Sequence, residues 1–197
     1  MRPLLIVISA PSGAGKTTLC DRLLQDFPEI SYSISCTTRP PRGEEEDGED
    51  YHFLTSESFE AHVQAGDFLE HAAVHGARYG TLKEPVRAAF AEGLSVLMDI
   101  DVAGAAQVRR HVAGLPPDDP MRRGFVDVFV RPPSLEALRE RLEARGEDDA
   151  PAIERRLRNA AGELARAGEF RYQIVNDNLD FAYRELCAIV EMAGGTA

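Results

Sequence analysis

Apolar and polar positions follow two rhythms along this chain. The continuous apolar run Leu4–Ile8, the apolar stretch Ser95–Ile100 that ends in acid, Phe125–Val130, which alternates around β-branched residues, and the short Ile174–Val175 read as strands. Between them, apolar residues recur three and four positions apart. Leu19, Leu23, Leu24 and Phe27 share one face of a helix predicted from Lys16 to about Phe27. The same spacing predicts helices over 84–92, 103–112, 134–145, 151–167 and 179–192. Ser31–Ser35 is a further strand candidate. Strands that alternate with amphipathic helices predict an α/β fold, a parallel sheet core flanked by helices.

Residues 39–83 break this rhythm. They open with Arg39-Pro40-Pro41-Arg42-Gly43, continue through the acidic run Glu44–Asp50, and then carry aromatics and short strand-like pieces. This predicts a small inserted fold. The acidic run lacks the spacing of a calcium loop and reads as a solvated face. A polar break, Gly146-Glu147-Asp148-Asp149, separates two Arg-rich helices, and the proline-rich stretch Gly114–Gly124 reads as a surface loop. The expected organisation is a core of residues 1–38, 84–140 and 157–197, an insertion at 39–83, and a lid at 141–156.

Composition narrows the class. Hydrophobic residues make up 44% and charged residues 28% of the 197 positions, as in ordinary globular proteins. No apolar stretch approaches the ~20 residues of a membrane span, and Met1-Arg2-Pro3 runs straight into a strand, so neither a membrane partner nor a signal peptide is expected. A net charge of −11 disfavours nucleic-acid binding. Cys20, Cys36 and Cys187 lack C-x-x-C spacing, and the histidines, His71 and His75 included, lack metal-ligand spacing. A reduced, cytoplasmic setting is expected, in a monomer or small homo-oligomer.

The sharpest chemical signal is Ala10-Pro11-Ser12-Gly13-Ala14-Gly15-Lys16-Thr17-Thr18, placed directly after the first strand. Gly13 and Gly15 let the backbone turn tightly and aim its N–H groups at phosphate oxygens. Lys16 supplies a positive charge, the Thr17 hydroxyl can reach magnesium, and the following helix adds its positive dipole end. Ala10 stands where such loops usually begin with glycine. The implied ligand is a nucleotide polyphosphate with Mg²⁺.

Further motifs follow in order. Ser33–Arg42, Gly48-Glu49-Asp50-Tyr51-His52-Phe53, Phe68-Leu69-Glu70-His71, Tyr79-Gly80-Thr81 and Asp99-Ile100-Asp101 resemble, with the phosphate loop and Val175-Asn176-Asp177, the signatures of guanylate kinases. The resemblance spans nearly the whole chain. It implies reversible, magnesium-dependent transfer of the ATP γ-phosphoryl to GMP, and to dGMP, giving ADP and GDP. It places ATP on Ala10–Thr18, and guanine on Glu70 with Ser35 and Asp101. The GMP phosphate falls on Arg39, Arg42, Tyr51 and Tyr79, with a weaker contact at Thr81. Lys16, Arg141, Arg145 and Arg156 are the expected transfer residues, the three arginines acting as a lid that closes on the phosphates. Asp99, at a strand end, is expected in the catalytic site, near magnesium-bound water or the acceptor phosphate. Asn176-Asp177-Asn178 is expected near adenine.

The chemistry of guanine suits a carboxylate. Its N1–H and 2-amino donors lie side by side, whereas adenine would turn a lone pair on the same group. Other classes remain as alternatives. A guanylate-kinase-like protein-binding module would not need Lys16 and the lid arginines, all of which are present. A GTPase switch would need N-K-x-D, which does not occur. A kinase for another nucleoside monophosphate is the third.

Overall fold

The computed structural model describes residues 1–74, 76–146 and 148–195; His75 and, in the polar break, Glu147 lie outside them, as do the last two residues of the chain. Five strands form a parallel sheet: β1 (Leu5–Ser9), β2 (Ile30–Tyr32), β7 (Ser95–Asp99), β8 (Phe125–Arg131) and β9 (Tyr172–Val175), in the spatial order β2-β7-β1-β8-β9. Every residue of β1 is buried, which explains its unbroken apolar run: a central parallel strand is covered on both faces. Alternate residues serve opposite layers. Leu4, Ile6 and Ile8 pack with α1 (Lys16–Asp26) and α8 (Leu179–Gly194). Leu5 and Val7 pack on the other side with α3 (Lys83–Ala91) and α4 (Val102–Ala113).

The predicted strand at 31–35 is shorter than expected. β2 ends at Tyr32, and the chain then leaves this sheet for a second one. That second sheet, in the order β4-β3-β6-β5, comprises β3 (Cys36–Thr37), β4 (His52–Phe53), β5 (Phe68–Val74) and β6 (Ala77–Leu82). Helix α2 (Ser56–Ala65), capped by Thr55, buries Phe59 against Phe68 with ring centroids 4.5 Å apart. The Gly114–Gly124 stretch contains one short helix, α5 (Pro120–Arg123).

Two helices complete the chain's outer rim. α6 (Leu135–Arg145) starts at Ser134, whose Oγ accepts the Ala137 N–H, and α7 (Ala150–Leu164) starts at Asp149, whose carboxylate accepts the Ala152 N–H. α7 stops short of the predicted 167, and a 3₁₀ turn follows at Ala167–Glu169. Leu138, Leu142, Ile153 and Leu157 form a core of their own between these helices.

Candidate active site

The phosphate loop lies at the carboxyl end of β1. The buried Ser9 hydroxyl donates to the Ile100 carbonyl at 2.8 Å and ties the ends of β1 and β7 together. The loop then turns into α1 through Gly15, at φ 89°. A Cβ there would lie 2.3 Å from Asn176 Nδ2, so glycine is required by space as well as by backbone conformation. Asn176, just past β9, is buried and donates from Nδ2 to the Ala14 carbonyl at 2.8 Å. Its side chain therefore braces the loop from beneath, with Ala14 itself in the core. Leu138 and Leu142 of α6 press on Gly13 from the other side.

A cavity of about 400 Å³ opens above the loop, lined by residues of the 10–18 segment together with Asp99, Asp101, Arg145 and Glu163. Lys16 Nζ forms an ion pair with the Asp99 carboxylate across this space. Thr17 and Thr18 also line it. Glu163 was not expected from the sequence. It follows Arg156 by seven positions on α7, two helical turns on the same face, and that spacing was the available signal. Burial pushes its carboxyl upward, opposed by the charge of Lys16.

A second cavity, of about 280 Å³, lies between the two sheets and is lined by Tyr32, Ser35, Asp50, Tyr51, Glu70 and Tyr79 among others. It shares Asp99 and Asp101 with the first. Glu70 sits on β5 and is buried. Its register partner across the sheet is Thr81, whose hydroxyl donates to Glu70 Oε1 at 2.8 Å. Thr81 thus orients the carboxylate, a firmer role than the weak phosphate contact expected of it. Burial raises the Glu70 pKa to about 6; the Thr81 hydrogen bond opposes that rise and the Asp101 charge adds to it. Asp101 also caps α4, accepting the Gly104 N–H at 2.7 Å. A fixed carboxylate on a cavity floor can accept two adjacent N–H donors at once.

Arg39 does not itself line this cavity but is tied to two tyrosines that do. Arg39 lies 4.9 Å from the Tyr51 ring centroid, donates from Nε to the Tyr79 hydroxyl at 3.2 Å, and forms a two-point ion pair with Glu45. The acidic run is therefore not merely solvated: Asp47 accepts the Phe53 N–H and Asp50 the Glu46 N–H, both folding the loop back on itself. Arg42 is exposed and does not line the cavity.

The lid arginines divide. Arg145 lines the phosphate-loop cavity and has no hydrogen bond or ion pair to any of the described residues, so it is not part of a charge stripe paired along α6. Arg156 pairs with Asp148 at 3.2 Å and places Nη1 3.5 Å from Ser12 Oγ on the loop. Arg141 does not reach the loop. It donates to the carbonyls of Asn176 and Asp177, at 2.8 and 3.4 Å, because the open carbonyl end of β9 lies within its reach.

A family model, described as guanylate kinase, matches residues 2–193. The guanylate kinase of Nitratidesulfovibrio vulgaris is 49% identical over 185 residues, 94% of this chain and 84% of that protein. That of Ruegeria sp. is 45% identical over 189 residues, 96% of this chain and 83% of that protein. A crystal structure of guanylate kinase from Anaplasma phagocytophilum superposes with a TM-score of 0.72 at 29% identity, covering 97% of this chain and 86% of that one. The chain belongs to the guanylate kinase family.

Proposed function

We propose that the two joined cavities bring ATP and GMP face to face. The chain is an ATP:GMP phosphotransferase, a nucleoside monophosphate kinase. One observation carries the assignment of sites: a phosphate loop and a buried carboxylate pocket open onto each other at Asp99 and Asp101. ATP lies with its phosphates on residues 10–18. Guanine sits on Glu70, with Ser35 and Asp101 beside it, and the GMP phosphate meets Arg39, Arg42, Tyr51 and Tyr79. dGMP is accepted by the same groups, since none of them is assigned to the ribose.

Transfer then needs in-line placement and stabilisation of charge on the equatorial oxygens. Lys16 leaves Asp99 for the outer phosphates of ATP. Arg145, a lid arginine with no side-chain partner among the described residues, moves onto the transferring group, and Arg156 accompanies it from α7. The acceptor phosphate oxygen is already anionic, so no general base is assigned. The hydroxyl of Thr17 and the carboxylate of Asp99 are oxygen donors of the kind that would hold Mg²⁺. The described residues contain no group of three or more His, Cys, Asp or Glu able to hold a metal, so the ion would take most of its oxygens from nucleotide and water. When bound, it neutralises charge on the phosphates. Segment 39–83 is the GMP-binding unit, and 141–156 the lid whose closure excludes water.

No described helix is long and apolar enough to cross a membrane. The proposal includes a cytoplasmic, reduced setting, with which the three free cysteines agree, and a monomer or small homo-oligomer. Glu70→Ala tests the guanine assignment. GMP affinity is expected to fall at least ~100-fold while ATP affinity holds; equal losses for both nucleotides would overturn it.

A further inference from the structure

The Arg39 guanidinium has five N–H donors, and four are engaged here. Nε–H donates to the Tyr79 hydroxyl at 3.2 Å. Nη1 donates to Glu45 Oε2 at 2.6 Å and to the Pro40 carbonyl at 3.0 Å. Nη2 donates to Glu45 Oε1 at 2.7 Å. The remaining Nη2–H lies on the same edge as Nε, the edge that faces Tyr79. Glu45 Oε2 accepts the Arg42 backbone N–H as well, at 2.8 Å, so one carboxylate anchors both arginine-bearing turns of the loop. The Glu45 and Arg39 side chains are mostly covered, at 23% and 10% exposure.

We propose that Glu45 is a positioning residue for the acceptor phosphate: it occupies the end edge of Arg39 and thereby turns the lateral Nε/Nη2 edge, with the Tyr79 hydroxyl, toward the phosphate of GMP. This rests on the GMP reading above and refines it. The end of the Arg39 guanidinium fork is already clasped by a carboxylate. Tyr79 accepts from Arg39, so its own O–H proton is free to donate into the cavity that its ring lines. Displacing Glu45 would break three charge-assisted hydrogen bonds, two of them to the Arg39 guanidinium, and leave a carboxylate beside an incoming dianion; the pair therefore stays together. With Glu45 in place, Arg39, Arg42 and Glu45 sum to one positive charge. Selectivity for a phosphate monoester then comes from aimed donors more than from excess charge. The Arg39 ion pair, followed by the Arg42 N–H, holds the Glu45 carboxyl down to about 2, so the arrangement persists throughout the neutral range.

Calorimetric titration of the wild type, Glu45→Gln and Glu45→Ala with GMP and with guanosine tests this. Both variants are expected to bind GMP about tenfold or more weakly and to bind guanosine, which has no phosphate, as the wild type does. In turnover, KM for GMP should rise more than kcat falls, and KM for ATP should hold. Tyr79→Phe should weaken GMP binding less in the Glu45→Ala background than in the wild type, because the two groups act on one edge. GMP binding that is unchanged or tighter in Glu45→Gln would overturn the proposal and make Glu45 a competitor of phosphate. Equal losses for GMP and guanosine would also overturn it, as the mark of a collapsed loop. A wild type that binds guanosine but gains nothing from the phosphate would instead refute the placement of the acceptor phosphate itself.

Discussion

Glu70→Gln isolates the energetic consequence of burying a carboxylate in the acceptor cavity. Burial lifts the Glu70 pKa from 4.5 to about 6. A carboxyl whose pKa is higher in the folded protein contributes most stability when protonated. That contribution is whole below pH 4.5 and is lost as the pH rises through 6. A shift of this size corresponds to about 2 kcal/mol. Above pH 7 the ionised Glu70 thus lowers stability by about that amount, whereas the amide of the variant does not titrate. The substitution keeps an oxygen for the Thr81 hydroxyl. Urea unfolding of both proteins without nucleotide, from pH 4.5 to 8, should show the variant gaining about 2 kcal/mol relative to the wild type across this range, or roughly 4–8 °C in Tm. Taking the difference cancels every other titrating group. Guanosine should bind the wild type about tenfold more tightly at pH 7 than at pH 5, with no such dependence in the variant; guanosine is chosen because a phosphate monoester has its own pKa near 6. A stability difference that stays flat with pH would refute the reasoning.

Arg145→Ala should lower kcat by about 10³-fold in a steady-state assay while the Kd for GMP stays near the wild-type value; full turnover with normal folding would remove Arg145 from the transfer step. Gly15→Ala forces a left-handed alanine, about 1–3 kcal/mol by itself, against Asn176 at 2.3 Å, so ATP binding should be lost and Tm lowered in a thermal melt. Asp127, buried on β8, accepts Arg109 Nη2 at 2.7 Å and the Arg171 N–H at 3.0 Å; Asp127→Ala should cost about 3–5 kcal/mol in chemical unfolding while leaving both nucleotide KM values alone. Small-angle scattering should report a smaller radius of gyration with both nucleotides bound than with neither, and identical profiles would contradict lid closure.

How much the sequence reveals depends on how each residue is buried. β1 is covered on both faces, so a continuous apolar run announces it, and the phosphate loop is legible because its glycines and Lys16 stand between that strand and a helix. Glu70 is harder to place. A register shift between Phe68 and Glu70 breaks the alternation of β5, so Phe68, Leu69 and Glu70 are all buried and no period-two pattern appears. The strand predicted at 31–35 ends early because the chain changes sheets between Tyr32 and Cys36, where no glycine or proline marks the switch. Glu45 is hidden in a run of like residues, where nothing local distinguishes the carboxylate that meets Arg39 from its acidic neighbours. Arg141 and Arg145 share a helix face by spacing, but long side chains diverge, and only the packing of α6 against the end of β9 decides where Arg141 goes.

Steady-state phosphoryl transfer from ATP to GMP, AMP and UMP, with purified protein and magnesium, tests the pairing of a phosphate loop with a carboxylate-floored acceptor pocket most directly. GMP should be used with a kcat/KM about 10⁴-fold or more above that of AMP or UMP. AMP or UMP consumed as readily as GMP, or no transfer to any of the three, would contradict it.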